Sequence, residues 1–329
     1  MVGAISVNLP VGAIGGVMQN NPQVSVVMSV YNGANSLPRT IESILDQKNV
    51  DFEFIVINDG SKDDTGKILD IYAQQDYRLR VIHQENTGLT KALIRGCAEA
   101  KAEFIARQDA GGDMSYPNRL SLQLEQLRKE PDAVFTSCGT RYVDPEHEIL
   151  YEVQITQAEL NESLHQKSLQ KLKSPSHHGS VMFRRSIYEG IHGYRSVYQV
   201  AQDLDLWIRM SECGLCLTTE EILYEAVWVS NGISSRKRLQ QAISAKAALD
   251  CSIHRQRKLS EDDILNKLAE DLNKSNLRQN SSKLLEANAW YFMGACALKH
   301  SRDRARRHFL QAIKCYPLHV KAFLRLMLQ

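Results

Sequence analysis

From Val24 onward, apolar and polar positions alternate in blocks of two kinds. Short β-rich runs, Val24 to Val30 and Phe54 to Ile57, each end on polar turn residues, and amphipathic stretches at helical spacing separate them. The pattern predicts strands at 24–30, 53–57, 79–83 and 103–107, with helices at 36–47, 63–75 and 88–100 between and around them. Strands alternating with helices in this way predict right-handed βαβ units and a mostly parallel sheet. Further on, Leu120, Leu124 and Leu127 mark a helix over 117–129, and residues 133–138 read as another strand. Residues 139–175 are irregular and more polar, as a binding-loop insertion would be. A short strand at 181–183 follows, then a helix over 202–213 whose apolar face includes Leu206, Trp207, Ile208 and Met210.

Parallel α/β sheets bind ligands in the crevice at the carboxyl ends of their strands. The residues directly after the first two strands, Tyr31 and Asn32, then Asp59, Gly60 and Ser61, are therefore candidate ligand contacts. Asp59 has a second reading as an Asx turn or a cap for the next helix, although Ser61 and Asp63 also stand ready for that capping role.

After about Gly232 the chain turns to Lys, Arg, Gln, Ala and Leu without β runs, which predicts a domain boundary and a helical region over 236–329. Within it, Trp290, Gly294, Ala305, Phe309, Ala312 and Pro317 fall almost on tetratricopeptide spacing over 286–329. A single such unit cannot bury its own face, so it is expected to pack on the preceding helices or cap an interface with a protein partner. Residues 1–22 hold Gly3, Pro10, Gly12, Gly15 and Gly16 and lack a basic start, so they read as a flexible leader ahead of a 23–235 domain.

The 329 residues are 43% hydrophobic and 24% charged, enough for a substantial core in a soluble protein. A net charge of +2 gives no field that would argue for nucleic acid. The seven cysteines are an odd set in apolar contexts and read as reduced structural thiols, with Cys213 and Cys216 making only half of a zinc spacing. With no stretch reading as a membrane span, a cytoplasmic location with at most peripheral membrane contact is expected.

Seven motifs occur in a fixed order: Ser29-Val-Tyr-Asn-Gly33, Asn58-Asp-Gly-Ser61 with Asp63, Asn86-Thr-Gly-Leu89, Arg107-Gln-Asp109, His178-Gly-Ser-Val-Met-Phe183, Gly193-Tyr-Arg195 and Asp203-Leu-Asp-Leu-Trp207. Over residues 23 to 230 this set resembles bacterial inverting family 2 glycosyltransferases of the GT-A fold, an α/β nucleotide-diphospho-sugar transferase fold. The resemblance implies that Asp59 hydrogen-bonds the nucleotide base, that Tyr31 lies against it with Asn32 beside it, and that a DxD motif holds Mn²⁺ or Mg²⁺ at the donor diphosphate. It also implies that Asp203 is the general base on the acceptor hydroxyl.

Three positions depart from that family pattern. Asn58 and Gln202 stand where acids are common, and the metal loop reads Asp109-Ala-Gly-Gly-Asp113 with one extra residue. Asp109 and Asp113 are candidate metal ligands, Asp113 having an alternative role as a cap for the helix near Pro117. Lys91 adds positive charge at the start of a helix, and His178 can donate to a phosphate or to the acceptor. Asp205, two residues after Asp203, points elsewhere on its helix and reads as structural. The implied reaction moves a sugar from a nucleoside diphosphate, UDP first, to a hydroxyl of a carbohydrate or lipid-linked acceptor. The competing reading is a catalytically impaired nucleotide-sugar-binding or scaffold protein. A nucleotidyltransferase is disfavoured because the loop after the first strand lacks a basic residue.

Overall fold

The computed structural model describes residues 21–166, 168–229, 237–276 and 283–328. The expected leader therefore lies almost wholly outside the described residues, as does the boundary expected at 232–235. In β1 (Val24–Val30) every residue is buried, because helices cover both sides of the sheet. Val24, Val26, Met28 and Val30 face α1 (Leu37–Leu45) and α4 (Arg119–Lys129), whereas Val27 faces α3 (Leu89–Ala98). This period of two places apolar residues on both faces, with Ser25 and Ser29 as the buried polar positions of the run.

β2 (Phe52–Asp59), β1 and β4 (Phe104–Arg107) pair in parallel, with β3 (Leu79–Gln84) on the outer edge of β2 and α2 (Thr65–Gln75) joining those two strands. Beyond β4 the sheet becomes mixed. β8 (Met182–Arg184) lies antiparallel between β4 and β6 (Ala133–Val143), and β6 pairs in parallel with the long β9 (Leu215–Val227). Short β5 (Met114–Ser115) closes on β9, and β7 (Ile149–Val153) pairs with β6.

The 139–175 stretch is more ordered than its polarity predicts. β6 runs on to Val143, β7 follows, and α5 (Gln157–Leu164) starts on a capping box between Thr156 and Glu159. Polar residues hide this continuation because Thr140 and Arg141 pair on both sides, with β7 and β9, through backbone groups. α6 (Arg185–Gly190) and α7 (Gln202–Ser211) complete this half.

The helical region divides in two. α8 (Arg238–Gln256) and α9 (Asp262–Asn276) contribute Ala247, Ala248, Leu249, Leu268 and Leu272 to the same core as the sheet. A separate core begins only with α10 (Lys283–Ala297), α11 (Arg302–Cys315) and α12 (Val320–Met327). A Cβ on Gly294 would sit 2.6 Å from Phe309, so the tetratricopeptide-like spacing here has a packing cause. This unit docks on the β6–β7 hairpin. Arg304 donates to Glu148 at 2.9 Å and to the Ile149 carbonyl, and His308 Nε2 lies 3.2 Å from buried Asp144.

Candidate functional site

At the tops of β1 and β2 the two turns are stitched together. Asn32, in the left-handed region at φ 53°, donates its backbone N–H to Ser61 Oγ at 2.9 Å and accepts from the Lys62 N–H at 2.7 Å. Tyr31, just before it, is left 52% exposed, so its ring is free to receive a flat ligand. Gly60 has φ 74° and a Cβ there would meet the Asn86 nitrogen at 2.6 Å, so only glycine fits.

Asp59 is 2% exposed and already well bonded. Its Oδ1 accepts from Gln84 Nε2 at 2.8 Å and from the Thr87 N–H at 2.9 Å, and its Oδ2 accepts from the Gly88 N–H at 2.8 Å. The carboxylate thus shapes the loop that opens α3, while ahead of α2 Asp63 closes a local turn by accepting from the Thr65 N–H at 3.1 Å. Lys91 is exposed on the first turn of α3, close in sequence to that loop.

The second half of the crevice forms where β4 ends. Gly111 and Gly112 both have positive φ, at 127° and 93°, and this turn folds Asp113 back beside Asp109. Ligand atoms of Asp109, Asp113 and His177 lie within 4.8 Å of one another. Asp113 does not serve α4, which starts after Asn118. Its oxygens instead accept from the Tyr224 hydroxyl at 2.9 Å and the Val227 N–H at 2.9 Å.

The two carboxyls differ electrically. Burial pushes Asp109 up, but the basic groups facing it outweigh that and hold it below the usual range, the permanent charge in contact with it being the Arg107 guanidinium. Arg107, fully buried, lies 2.7 Å from its Oδ1. Burial raises Asp113 to about 6, with His177 opposing and Asp109 adding to the rise. One acid is therefore ionised and its neighbour sits near the point of releasing a proton.

Tyr224 holds this arrangement together. Besides its bond to Asp113 it accepts from the Asp109 N–H at 3.2 Å and stacks on His177 with ring centroids 5.1 Å apart. A Cβ on Gly179 would fall 2.0 Å from the Tyr224 hydroxyl oxygen, which explains the glycine of the His178-Gly motif. Buried Arg119 donates to the carbonyls of Gly179 and Arg107, tying this turn to β4.

His178 points inward. Its Nε2 lies 2.7 Å from the Tyr194 hydroxyl, and burial, with Arg107 next, lowers it to about 4, so it is neutral and does not offer a charged donor to phosphate. His177 takes that place. Its Nδ1 accepts from the Gly179 N–H at 3.1 Å, which leaves the proton on Nε2, 3.8 Å from Asp113. In this tautomer His177 is a donor to an anion, and the two carboxylates are the groups that fit a hard divalent cation.

Asp203 opens α7 after Ala201, which is left-handed at φ 53°. Asp205 turns away and pairs with Arg209 at 2.7 Å, as its position on the helix implies. Asp203 acts on the same groups as the metal-side acids. Burial first, then Tyr151, and after it the charges of Asp113, Asp203 and Asp109, raise the Tyr142 hydroxyl, and Asp109 and Asp203 both oppose the lowering of His178.

The profile of the family described as glycosyl transferase family 2 matches residues 25–191. This chain belongs to glycosyltransferase family 2. The enzyme is 33% identical to EpsE of Bacillus subtilis, itself named a glycosyltransferase, over 63% of this chain and 74% of that one. It is 29% identical to the uncharacterized glycosyltransferase RT0329 of Rickettsia typhi, over 63% of this chain and 64% of that one. Among solved structures, Staphylococcus aureus TarS residues 1–349 in complex with UDP aligns at TM-score 0.55 and 17% identity, covering 92% of this chain and 88% of the other. The mannosyltransferase PcManGT of Pyrobaculum calidifontis, solved with GDP-Man and Mn²⁺, aligns at TM-score 0.54 and 16% identity, covering 94% and 88%. These likenesses give the GT-A fold.

In this glycosyltransferase Asp109 and Asp113 meet at the end of β4, while Tyr31 and Asn32 stand in the turn after β1 and Asp203 stands in the first turn of α7. Tyr224, Arg119 and Tyr142 enter as residues the motifs did not reveal, and Arg107, quoted in its motif without a role, is the partner of Asp109. Tyr224 sits in an apolar strand run and reads there as a core aromatic, and Arg107 precedes the acid it pairs with by only two residues, a local signal that could have been read.

Proposed function

We propose that this glycosyltransferase works with inversion, moving a sugar from a nucleoside diphosphate, UDP first, to a hydroxyl of a carbohydrate or lipid-linked acceptor. The observation that carries the reading is the meeting of Asp109, Asp113 and His177 at the end of β4, their ligand atoms within 4.8 Å of one another. It supports a cation site at the donor diphosphate, with Asp203 in the first turn of α7 as the base. Tyr31 offers its exposed ring to the base, and Asp59 offers Oδ2, which carries the single bond from Gly88, while Lys91 adds charge near the phosphates. Asp109 and Asp113 would hold Mn²⁺ or Mg²⁺, which when bound neutralises the charge that develops on the departing diphosphate. His177 donates from Nε2 to a phosphate oxygen. Asp203 accepts the proton of the acceptor hydroxyl as that oxygen forms its bond to the anomeric carbon and the bond to the diphosphate breaks. A single base on the face opposite the leaving group yields inverted configuration. All seven cysteines are free, which suits a reducing cytoplasm.

A donor panel read by released nucleoside diphosphate, with and without Mn²⁺, tests the reading. Turnover that needs Mn²⁺ and collapses in Asp203→Asn is expected, with the product anomer inverted by NMR coupling. Full activity in Asp203→Asn, or a retained anomer, would overturn it.

A further inference from the structure

α12 carries apolar side chains on two faces, and only one of them is packed. Ala322 and Leu326 turn inward onto the core of the α10–α12 unit. Val320, Phe323, Leu324, Met327 and Leu328 recur at the i, i+3, i+4, i+7, i+8 positions and form a second stripe. At about 100° per residue this stripe lies on the side of the helix nearly opposite the packed one. It is open to solvent, from 54% exposure at Phe323 to 81% at Leu328, and Leu318 extends it at 75%. Lys321 and Arg325, one turn apart and both exposed, run along its flank.

Charge distinguishes this region from the rest of the chain. Residues 283–329 hold nine Lys or Arg against two Asp or Glu, while the remainder holds 31 against 36. A basic surface bearing an apolar stripe fits a layer that is anionic at its surface and apolar beneath. A second copy of the chain fits it poorly. It would bring the same positive charge to the contact, and an eight-residue helix, about 12 Å long, falls short of the roughly 800 Å² per partner that a stable dimer buries.

We propose that the outer face of α12 seats this glycosyltransferase on an anionic lipid surface, with Val320, Phe323, Leu324 and Met327 entering the headgroup boundary and Lys321 and Arg325 meeting the lipid phosphates. The inference stands apart from the proposed sugar transfer, because lipid binding needs no turnover. It would bring the crevice to the membrane surface where a lipid-linked acceptor resides.

Vesicle sedimentation of the full chain tests it, comparing phosphatidylcholine alone with phosphatidylcholine mixed with phosphatidylglycerol. The chain is expected to pellet with the anionic vesicles, to stay in solution with the neutral ones, and to be released by salt. Phe323→Ser with Met327→Ser should weaken partition about tenfold or more. Lys321→Glu with Arg325→Glu should do so by about tenfold or more as well. Both pairs lie on the solvent face, so circular dichroism and donor hydrolysis in solution should match the unmodified protein. Absence of binding to the anionic vesicles, no preference for them over neutral ones, or unchanged partition of both variants would overturn the proposal. So would a dimer in light scattering that Phe323→Ser abolishes, since a second copy would then be the occupant.

Discussion

The two clusters proposed as the nucleotide end and the metal end of the site are built differently. At the nucleotide end, the contacts join short turns that directly follow β1, β2 and β3: Asn32 to Ser61 and Lys62, and Asp59 to Gln84, Thr87 and Gly88. At the metal end, Asp109 pairs locally with Arg107, but Tyr224, 111 residues beyond Asp113, bonds that acid, and Arg119 holds the turn at Gly179, 60 residues further on. The first end is a property of strand-turn geometry. The second exists only once β6, β8 and β9 have assembled beside β4. Substitutions at the nucleotide end should therefore cost loop order and nucleotide affinity together, whereas those at the metal end should alter charge and proton release.

The largest effect is expected between the two ends. Asp203→Asn keeps the shape of α7 but removes the proton acceptor, so kcat should fall about 10²- to 10⁴-fold with nucleotide affinity by calorimetry unchanged. A loss confined to affinity would move Asp203 from the acceptor side to the donor side.

Asp109→Asn should follow. It leaves Arg107 buried without its charge partner as well as weakening the cation site. Thermal unfolding without metal should show a loss of about 3 kcal/mol, and Mn²⁺-dependent turnover should fall steeply. If Mn²⁺ affinity is unchanged while stability drops, Asp109 acts only as the partner of Arg107.

Asp59→Asn tests the nucleotide end. One oxygen survives, but an amide placed where Oδ2 accepts from Gly88 would set donor against donor, so stability should fall by about 1–3 kcal/mol together with UDP affinity. Unchanged stability with weaker UDP binding would assign Asp59 to the base contact alone.

The same contrast explains what the sequence made legible. The strands at 24–30 and 103–107 were readable because buried strands are rich in apolar residues on both faces, Ser25 and Ser29 being the exceptions in the first and Glu103 and Arg107 bounding the second, and the turns after them were readable because polar residues stop those runs. His177 was overshadowed by His178, which begins the His-Gly motif. Backbone decides between them, since His177 is extended and His178 starts a 3₁₀ turn that drives its ring toward Tyr194. Tyr224 lies between Leu223 and Ala226 in β9, and nothing local distinguishes a buried tyrosine that positions two acids from one that only fills space. The first two helices after the 235 region looked separate in composition, yet their Ala-rich faces complete the core of the sheet. Composition reports what a segment is made of, not which surface it must cover.

The smallest effect expected concerns protons at the metal end. Asp113 titrates at about 6 in the folded chain against 3.8 as an ordinary aspartate, chiefly through burial. A carboxyl raised in this way favours the apo fold while it is protonated. That contribution is complete below about 4 and disappears as pH rises through 6. A cation at Asp109 and Asp113 reverses the preference, because it requires the ionised form. Mn²⁺ affinity should therefore climb as pH rises through 6 and level off above it, with close to one proton released per Mn²⁺ at low pH and close to none well above 7. Tyr224→Phe sharpens the test. The Tyr224 hydroxyl donates to Asp113 Oδ2 and so favours the charged form, and losing it should move the midpoint of Mn²⁺ binding upward by about one pH unit. Calorimetry in two buffers of different ionisation enthalpy measures the proton count directly. A flat proton count across this range, in both the unmodified enzyme and Tyr224→Phe, would mean that the cation binds through Asp109 and leaves Asp113 as part of the scaffold.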